Sequence, residues 1–223
     1  MRRTILVTGA TGLLGGATLR RILESGADVD AWVLVRRPDD WSAAAARLGV
    51  TGMAKPVIGD VSVPLCGLTT STIRHLAGCV THVLHAAADT SLAQTWENAH
   101  ATNTAGAENV VALAERLPLL ERFVQVSTAF VAGCRTGTIP EAGAQNHGFV
   151  NAYERSKFEA EKVVRQSGLP WTIARCALIA CDDETGSVSK LNALHRGLAM
   201  IHAGLVTALP GSAETVMDLT TTD

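Results

Sequence analysis

Short apolar runs rich in β-branched residues alternate along this chain with longer stretches in which alanine and leucine recur at helical spacing. The runs are apolar nearly throughout, which is typical of parallel strands covered by helices on both faces. Six strands are predicted, at residues 4–8, 31–35, 56–60, 82–86, 123–127 and 172–179. Helices are predicted between them, at residues 13–25, 42–48, 71–77, 93–117 and 153–166. This alternation predicts an α/β fold with a doubly wound parallel sheet, the Rossmann fold.

The first predicted strand leads directly into a glycine-rich segment at residues 8–16. Its glycines have the spacing G-x-x-G-x-x-G, one residue longer than the G-x-G-x-x-G pattern of dinucleotide-binding loops. The first glycine allows a tight turn, the second lets the backbone approach a pyrophosphate, and the third lets the helix lie close to the sheet. A loop of this kind between a first strand and a helix predicts a dinucleotide site. The residues assigned to it are Gly9, Thr11, Gly12, Leu13, Leu14 and Gly15.

The second predicted strand is followed by Arg36 and Arg37, where the adenosine ribose of a bound dinucleotide would lie. An acidic residue there would accept a hydrogen bond from the 2′-hydroxyl of NAD, whereas arginine fits a 2′-phosphate. The sequence therefore favours NADP (NADPH) over NAD; the alternative is that both arginines are ordinary solvated loop charges. Asp60 ends the third predicted strand, with Val61 beside it, and is placed to accept a hydrogen bond from the adenine amino group.

The only tyrosine of the chain, Tyr153, precedes Lys157 by four residues. On a helix this spacing places the phenol and the ammonium on one face. A free phenol has a pKa near ~10, and a lysine charge about 4 Å away would lower it by about three units. Such a shift would make Tyr153 an effective proton donor or acceptor near neutral pH. The alternative interpretation is an incidental pair on a helix surface.

Composition narrows the classes of function. The chain has 223 residues, of which 47% are hydrophobic and 18% charged, with a net charge of −2, so a compact globular protein is expected and nucleic acid is not a favoured partner. The apolar run at the N-terminus is too short for a signal sequence or a membrane span, which predicts a cytoplasmic protein. The 5 cysteines form no C-x-x-C pair and are expected to be reduced. The histidines lack the spacing of metal ligands, so no metal site is expected.

A further pattern runs through six segments, at residues 8–16, 59–61, 85–89, 103–106, 126–133 and 153–157. Their order and spacing resemble those of the extended short-chain dehydrogenase/reductases, over essentially the whole chain. Within that superfamily, residues 126–133, 151–161 and 170–175 resemble the thioester-reductase and fatty-acyl-reductase ("male sterility") branch. The resemblance implies the same fold and a nicotinamide cofactor.

The resemblance also implies roles for individual residues. Tyr153 would be the general acid/base, and Lys157 would also hold the hydroxyls of the nicotinamide ribose. Thr128, at the end of the fifth strand, matches the hydroxyl residue that orients the substrate, with Ser127 beside it. Asn103 matches the helix asparagine that supports the hydrogen-bond network of the active site.

Ala86, Ala87 and Ala88 match a turn of small residues against which the family's cofactor lies closely. Cys176 stands where the family usually carries proline, in a loop that helps to shape the cofactor and substrate pockets. Residues 217–223 resemble the segment that leads into the last part of the family's substrate lobe. We therefore expect a dinucleotide-binding domain at residues 1–181, followed by a short or truncated substrate lobe at residues 182–223.

The function expected from these features is NADP-dependent transfer of hydride between nicotinamide and a small-molecule carbonyl or acyl-thioester substrate. A nucleotide-sugar epimerase or dehydratase with a retained cofactor would use the same residues and remains an alternative. A catalytically idle NADP-binding regulator is a second alternative. A homodimer through the helices at residues 103–117 and 153–166 is plausible, because the family often pairs through them.

Overall fold

A six-stranded sheet forms the centre of the computed structural model, which describes residues 3–143, 145–188, 190–209, 211–212, 214 and 217–222. The strands are β1 (Arg3–Thr8), β2 (Val29–Val35), β3 (Lys55–Ile58), β4 (His82–His85), β5 (Arg122–Thr128) and β6 (Trp171–Cys176). They are all parallel and lie in the order β3-β2-β1-β4-β5-β6. This is the strand order of a doubly wound dinucleotide-binding sheet, so the predicted fold class is confirmed.

Helices cover both faces of the sheet, which explains why its strands are apolar throughout. The helices are α1 (Leu13–Glu24), α2 (Pro38–Leu48), α3 (Thr70–Ala77), α4 (Trp96–Ala99), α5 (Ala105–Ala114) and α6 (Ala152–Gln166). One apolar cluster joins the sheet to α1 and α2, with Leu19 and Trp41 at its centre. The other joins the sheet to α3, α5 and α6 around Phe123, Leu76 and Val110.

The chain reverses its direction of winding between β1 and β4. After β3 it crosses back over β2 and β1 to add β4 on the other side of β1. At such a switch point the loops after the two strands diverge and leave a crevice at the carboxyl edge of the sheet. The segments with sequence motifs for cofactor binding all follow strands that end at this edge.

Two predicted elements differ from the observed ones. The helix predicted at residues 93–117 is divided into α4, a 5-residue π-helix at His100–Thr104, and α5. The strand predicted at residues 172–179 is also divided, because β7 (Leu178–Ile179) leaves the central sheet and pairs with β8 (Leu219–Thr220). A helix α7 (Ala193–His202) was not predicted. None of the helices in the described part of the chain is long and apolar enough to cross a membrane.

Candidate active site

Two adjoining cavities form one crevice along the carboxyl edge of the sheet. A cavity of about 410 Å³ lies beside the ends of β2 and β3. A cavity of about 260 Å³ lies between the glycine-rich loop, the end of β5 and the start of α6. Gly9, Gly12, Ala86 and Ala88 line both. Of the residues predicted to bind the cofactor, only Arg37 does not line this crevice.

The three glycines of the loop meet different steric demands. Gly9 has a φ of +74°, and a Cβ there would lie 2.5 Å from backbone atoms of Ala86 and Ala87. A Cβ on Gly15 would lie 2.5 Å from the carbonyl oxygen of Gly9. At Gly12 the nearest obstacle is that same oxygen at 3.1 Å, so the fold demands glycine at Gly9 and Gly15 more than at Gly12.

The amino end of α1 is open to a bound anion. Gly12 precedes the helix without a capping side chain, and the first turn carries no acidic residue. The first N–H groups of an α-helix have no partner within the helix, and together with the helix dipole they favour a phosphate. Because Gly12 adds no side chain above this turn, the residues present fit the pyrophosphate of a dinucleotide.

Arg36 and Arg37 are not equivalent. The Arg37 guanidinium donates from Nε to Asp40 Oδ2 at 3.1 Å and from Nη2 to Oδ1 at 2.9 Å, on the protein surface. Arg36 lines the larger cavity together with Asp40. Of the two arginines predicted to bind the cofactor, Arg36 lines the cavity, whereas Asp40, in the first turn of α2, holds the Arg37 side chain in a bidentate ion pair.

Asp60 lies in the same cavity, as the sequence predicts. Its Oδ1 accepts hydrogen bonds from the backbone N–H of Ser62 at 2.9 Å and from the Ser62 hydroxyl at 2.8 Å. Burial raises the pKa of Asp60, but these two bonds and the charge of Arg36 outweigh burial and lower it overall. The carboxylate is therefore ionised and held in one orientation at the cleft.

The start of α6 fixes the position of Tyr153. Asn151 caps the helix, since its side chain accepts a hydrogen bond from the Glu154 N–H at 3.0 Å. The Glu154 carboxylate in turn accepts from the backbone N–H of Val150 at 3.0 Å. This reciprocal cap begins the helix at Ala152 and places Tyr153 in its first turn, where it lines the smaller cavity.

Lys157 lies one turn further along α6 and is 4% exposed. Its ammonium donates to the carbonyl oxygen of Val126 on β5 at 2.7 Å. Burial lowers the pKa of Lys157 to about 8, and the negative charge of Glu161 opposes this shift. The pair predicted to share a helix face therefore shares one cavity with Thr128, which ends β5.

The acidity of Tyr153 differs from the sequence expectation. Burial raises the pKa of Tyr153 above its ordinary value, and a hydrogen bond from the Thr128 hydroxyl lowers it only in part. Cys176 and Glu154 raise the pKa of Tyr153 further. The helical spacing of Tyr153 and Lys157 predicts only the sign of their interaction. In the folded protein the Lys157 ammonium donates to the Val126 carbonyl, and burial of the phenol has the largest effect on the pKa of Tyr153.

Asn103 acts behind the active-site tyrosine and does not line the crevice. Its Nδ2 donates to the Asp89 carbonyl at 2.9 Å and to Ser156 Oγ at 2.8 Å, while its Oδ1 accepts from the Asp89 N–H at 2.8 Å. Ser156 Oγ donates to the carbonyl of Tyr153 at 2.8 Å. The π-helix containing Asn103 thus ties the loop after β4 to the first turn of α6, and the predicted part of Asn103 in the active site stays a prediction.

The Ser127 side chain belongs to a buried ionic network. Its hydroxyl donates to Glu161 Oε1 at 2.7 Å. Arg175 on β6 donates to the same carboxylate from Nε at 2.8 Å and from Nη2 at 2.7 Å. Ser127 lines the smaller cavity beside Thr128, but its hydroxyl is bound to Glu161, and its catalytic role stays a prediction.

The sequence reasoning missed Glu161 and Arg175. Glu161 is 2% exposed and follows Lys157 by four residues, so the same helical spacing that identified the Tyr–Lys pair could have found it. Burial raises the pKa of Glu161, but hydrogen bonds from Arg175 and Ser127 outweigh burial and lower it overall. The network fixes α6 against the ends of β5 and β6, next to the smaller cavity.

Apolar side chains line much of the smaller cavity. They come from the loops after β4 and β5, from β7, and from the segment before α7. They are Leu92, Phe130, Leu178, Ile179 and Leu191. Cys176 also lines this cavity, and burial raises the pKa of its thiol. A polar group that reacts beside Tyr153 could therefore carry an apolar chain outward.

Comparison with known proteins adds to this geometry. Residues 7–223 match the sequence profile of the family described as male sterility protein. The chain is 30% identical over 212 residues to a hybrid PKS-NRPS synthetase, xenE, from Xenoacremonium sinensis, a match that covers 88% of this chain and 5% of the synthetase. It is 30% identical over 164 residues to fatty acyl-CoA reductase 8 from Arabidopsis thaliana, covering 62% of this chain and 33% of that protein.

A solved structure agrees with these sequence matches. The terminal R domain from the myxalamid PKS-NRPS biosynthetic pathway is 28% identical, with a TM-score of 0.86, and the alignment covers 99% of this chain and 59% of that chain. The chain thus spans less than two thirds of the length of each of these relatives.

Proposed function

The chain belongs to the male sterility protein family, in the thioester-reductase branch of the extended short-chain dehydrogenase/reductases, and on this basis we propose that it is an NADPH-dependent reductase of acyl thioesters. The observation that carries the proposal is the convergence of Tyr153, Lys157 and Thr128 in one cavity that apolar side chains also line. When bound, NADPH supplies the hydride.

Thr128 and Tyr153 are the proposed catalytic residues. Both line the smaller cavity, and Thr128 is near enough to the phenol to lower the pKa of Tyr153, so both hydroxyls can hold the oxygen of a substrate carbonyl. A hydrogen bond to that oxygen stabilises the negative charge that develops there during reduction. The raised pKa of Tyr153 keeps the phenol protonated at neutral pH, so it can donate its proton to the oxygen.

Lys157 is the proposed holder of the nicotinamide ribose. Its ammonium has three N–H donors, of which the Val126 carbonyl takes one. The ribose hydroxyls can accept from the others. Because its pKa is about 8, Lys157 is charged at neutral pH, but its charge is lost at moderately alkaline pH. Asn103 holds the first turn of α6, which carries Tyr153, in place through its hydrogen bond to Ser156.

The proposed preference for NADPH rests on Arg36. Its guanidinium lines the cavity where the adenosine ribose would lie, and the nearby Asp40 carboxylate is already compensated by Arg37. A guanidinium at this position fits a 2′-phosphate better than a 2′-hydroxyl. We also propose that residues 1–181 form the dinucleotide-binding domain and that residues 182–223 contribute to the substrate lobe.

An acyl thioester is favoured over the nucleotide-sugar alternative by the lining of the smaller cavity. Leu92, Phe130 and Ile179 offer apolar contacts that suit an acyl chain, whereas a sugar nucleotide requires polar groups and positive charge. The retained Tyr153 and Lys157 also distinguish the chain from an idle cofactor-binding regulator.

The test is a cofactor-oxidation screen with the purified protein. NADPH consumption is followed with acyl-CoA thioesters of increasing chain length, the corresponding aldehydes, ketones and UDP-hexoses, and the products are identified by mass spectrometry. We expect thioester-dependent oxidation whose KM falls as the acyl chain lengthens. Epimerisation of a UDP-hexose without net NADPH consumption would contradict the proposal and support the alternative. Binding of NADPH with no turnover of any substrate would support the regulator.

A further inference from the structure

Three polar residues lie side by side across the middle of the sheet, directly under the crevice. Thr8 on β1 pairs in register with His85 on β4, and His85 pairs with Gln125 on β5. Residues paired in this way point to the same face of a sheet. Each of the three is only 1% exposed, although polar side chains are rarely buried so completely without hydrogen bonds.

One end of this row is connected to the cofactor loops. The Thr8 hydroxyl lies 2.7 Å from Nδ1 of His85 and accepts from the backbone N–H of Ala87 at 3.2 Å. Ala87 belongs to the turn against which Gly9 packs. The Thr8 hydroxyl thus orients the His85 ring, and the Ala87 N–H in turn orients that hydroxyl.

The other end is connected to Lys157. Gln125 Nε2 donates to the Val126 carbonyl at 3.0 Å, and Lys157 Nζ donates to that oxygen at 2.7 Å. The paired residues of β4 and β5 end with His85 and Gln125, so this carbonyl lies beyond the last pair. Two side-chain donors, from Gln125 and Lys157, therefore share the Val126 carbonyl.

Two buried polar atoms in the middle of this row are without a hydrogen bond in the described part of the chain. His85 Nε2 and Gln125 Oε1 have no hydrogen-bond partner among the described residues. The His85 ring is neutral, because burial and the charge of Lys157 lower its pKa to about 3, so one of its two nitrogens carries a hydrogen. Only the tautomer with the hydrogen on Nε2 gives Gln125 Oε1 a donor and lets the Thr8 hydroxyl donate to Nδ1.

We propose that Thr8, His85 and Gln125 form a buried relay of hydrogen bonds that orients the Val126 carbonyl and, through it, the ammonium of Lys157. Its order is Thr8 hydroxyl to His85 Nδ1, His85 Nε2–H to Gln125 Oε1 across one bound water molecule, and Gln125 Nε2–H to the Val126 carbonyl. His85 and Gln125 are positioning residues in this scheme. The inference rests on the proposed function, in which Lys157 holds the nicotinamide ribose.

The tautomer is tested by nitrogen-15 NMR of histidine-labelled wild-type protein, which requires no activity. We expect the hydrogen of His85 on Nε2, with slow exchange against solvent, across the neutral pH range. His82 is the matched control, because it lies on the same strand and its Nδ1 is also hydrogen-bonded to a threonine hydroxyl, at 2.8 Å. Its ring is partly exposed at the opposite end of the strand and should exchange quickly. A hydrogen on Nδ1 of His85 would overturn the proposal.

The coupling to Lys157 is tested with Gln125→Met and His85→Leu, with His82→Leu as control. Loss of one neutral hydrogen bond should weaken NADPH binding about three- to tenfold. The effect should lie in the KM for NADPH, with kcat changed less than about threefold, because the proton donor Tyr153 is untouched. His85→Gln, which restores a donor near Nε2, should recover most of the affinity. Unchanged NADPH affinity in folded Gln125→Met protein would overturn the coupling.

Failure of this inference can be distinguished from failure of the proposed function. If wild-type protein binds no NADPH, the proposed function fails and the NMR result still decides the relay. If NADPH binds and Tyr153→Phe abolishes turnover but Nε2 carries no hydrogen, the relay fails alone. If a variant does not fold, the nitrogen-15 NMR measurement on wild-type protein still decides whether His85 carries its hydrogen on Nε2.

Discussion

Replacing Lys157 by methionine should stabilise the ligand-free protein at neutral pH while it weakens cofactor binding. The ammonium is almost fully buried, and burial lowers its pKa from 10.5 to about 8. This difference of 2.5 units corresponds to about 3 kcal/mol of unfavourable free energy in the folded state while the lysine is charged. Methionine fills a similar volume and carries no charge.

The hydrogen bond from Lys157 to the Val126 carbonyl opposes this gain. A hydrogen bond from a charged donor contributes roughly 1.5–3 kcal/mol. The net stabilisation of Lys157→Met near pH 7 is therefore expected to be about 1 kcal/mol, or about 2–4 °C in Tm for a domain of this size. Such a gain at a functional residue would be a trade-off between stability and activity.

The pH dependence gives the sharper test. The folded pKa lies below the unfolded one, so between about pH 8 and pH 10.5 the unfolded chain binds more protons at this lysine and wild-type stability rises with pH. The advantage of Lys157→Met should shrink by about 2–3 kcal/mol between pH 7 and pH 10. Other groups that titrate in this range act on both proteins, so the difference isolates Lys157.

Urea unfolding of ligand-free wild type and Lys157→Met at both pH values measures this difference, and calorimetry with NADPH measures the loss of binding. Lys162→Met is the matched control, because Lys162 lies on the same helix with an exposed side chain. It should show the wild-type pH dependence. A Lys157→Met protein that is less stable than wild type by the same amount at both pH values would refute the reasoning.

Three further outcomes are expected from single substitutions. Tyr153→Phe should leave folding and NADPH affinity nearly unchanged and lower kcat about a hundredfold or more, measured as NADPH oxidation with a verified substrate; full activity would exclude the proposed proton donor. Arg36→Ala should weaken NADPH binding by roughly 1.5–3 kcal/mol and NADH binding little, by calorimetry, whereas Arg37→Ala should change the ratio of the two affinities much less; equal effects would contradict the separation of the two arginines. Gly12→Val should abolish dinucleotide binding in a folded protein, as checked by circular dichroism and calorimetry, and normal binding would refute the assignment of the loop.

The order of the strands along the chain, the phosphate loop and the Tyr–Lys pair could be predicted from the sequence because each depends on short-range periodicity or spacing. An apolar run reveals a buried strand, and a spacing of four reveals a shared helix face. The glycine pattern also predicts a contact in space. Gly9 and Gly15 must be glycine because the backbone approaches them too closely for a Cβ where the strand turns into the helix.

The partners of the buried polar groups could not be predicted, because they join residues far apart in the chain. Ser127 is bound to Glu161, 34 residues away, and Thr8 to His85, 77 residues away. The strand predicted at residues 172–179 is split because β7 pairs with β8, about 40 residues later. The pattern of neighbouring residues in the sequence does not predict such long-range pairings.

The pKa values of Tyr153 and Lys157 show most clearly what the sequence determines and what the tertiary structure determines. The sequence determined that Tyr153 and Lys157 lie on one face of a helix, and the sign of their interaction follows from their charges. Only the tertiary structure decided that burial is the largest influence on the pKa of both groups and that the Val126 carbonyl accepts a hydrogen bond from the ammonium. Desolvation depends on all the atoms that surround a group, and these are assembled from every part of the chain by folding.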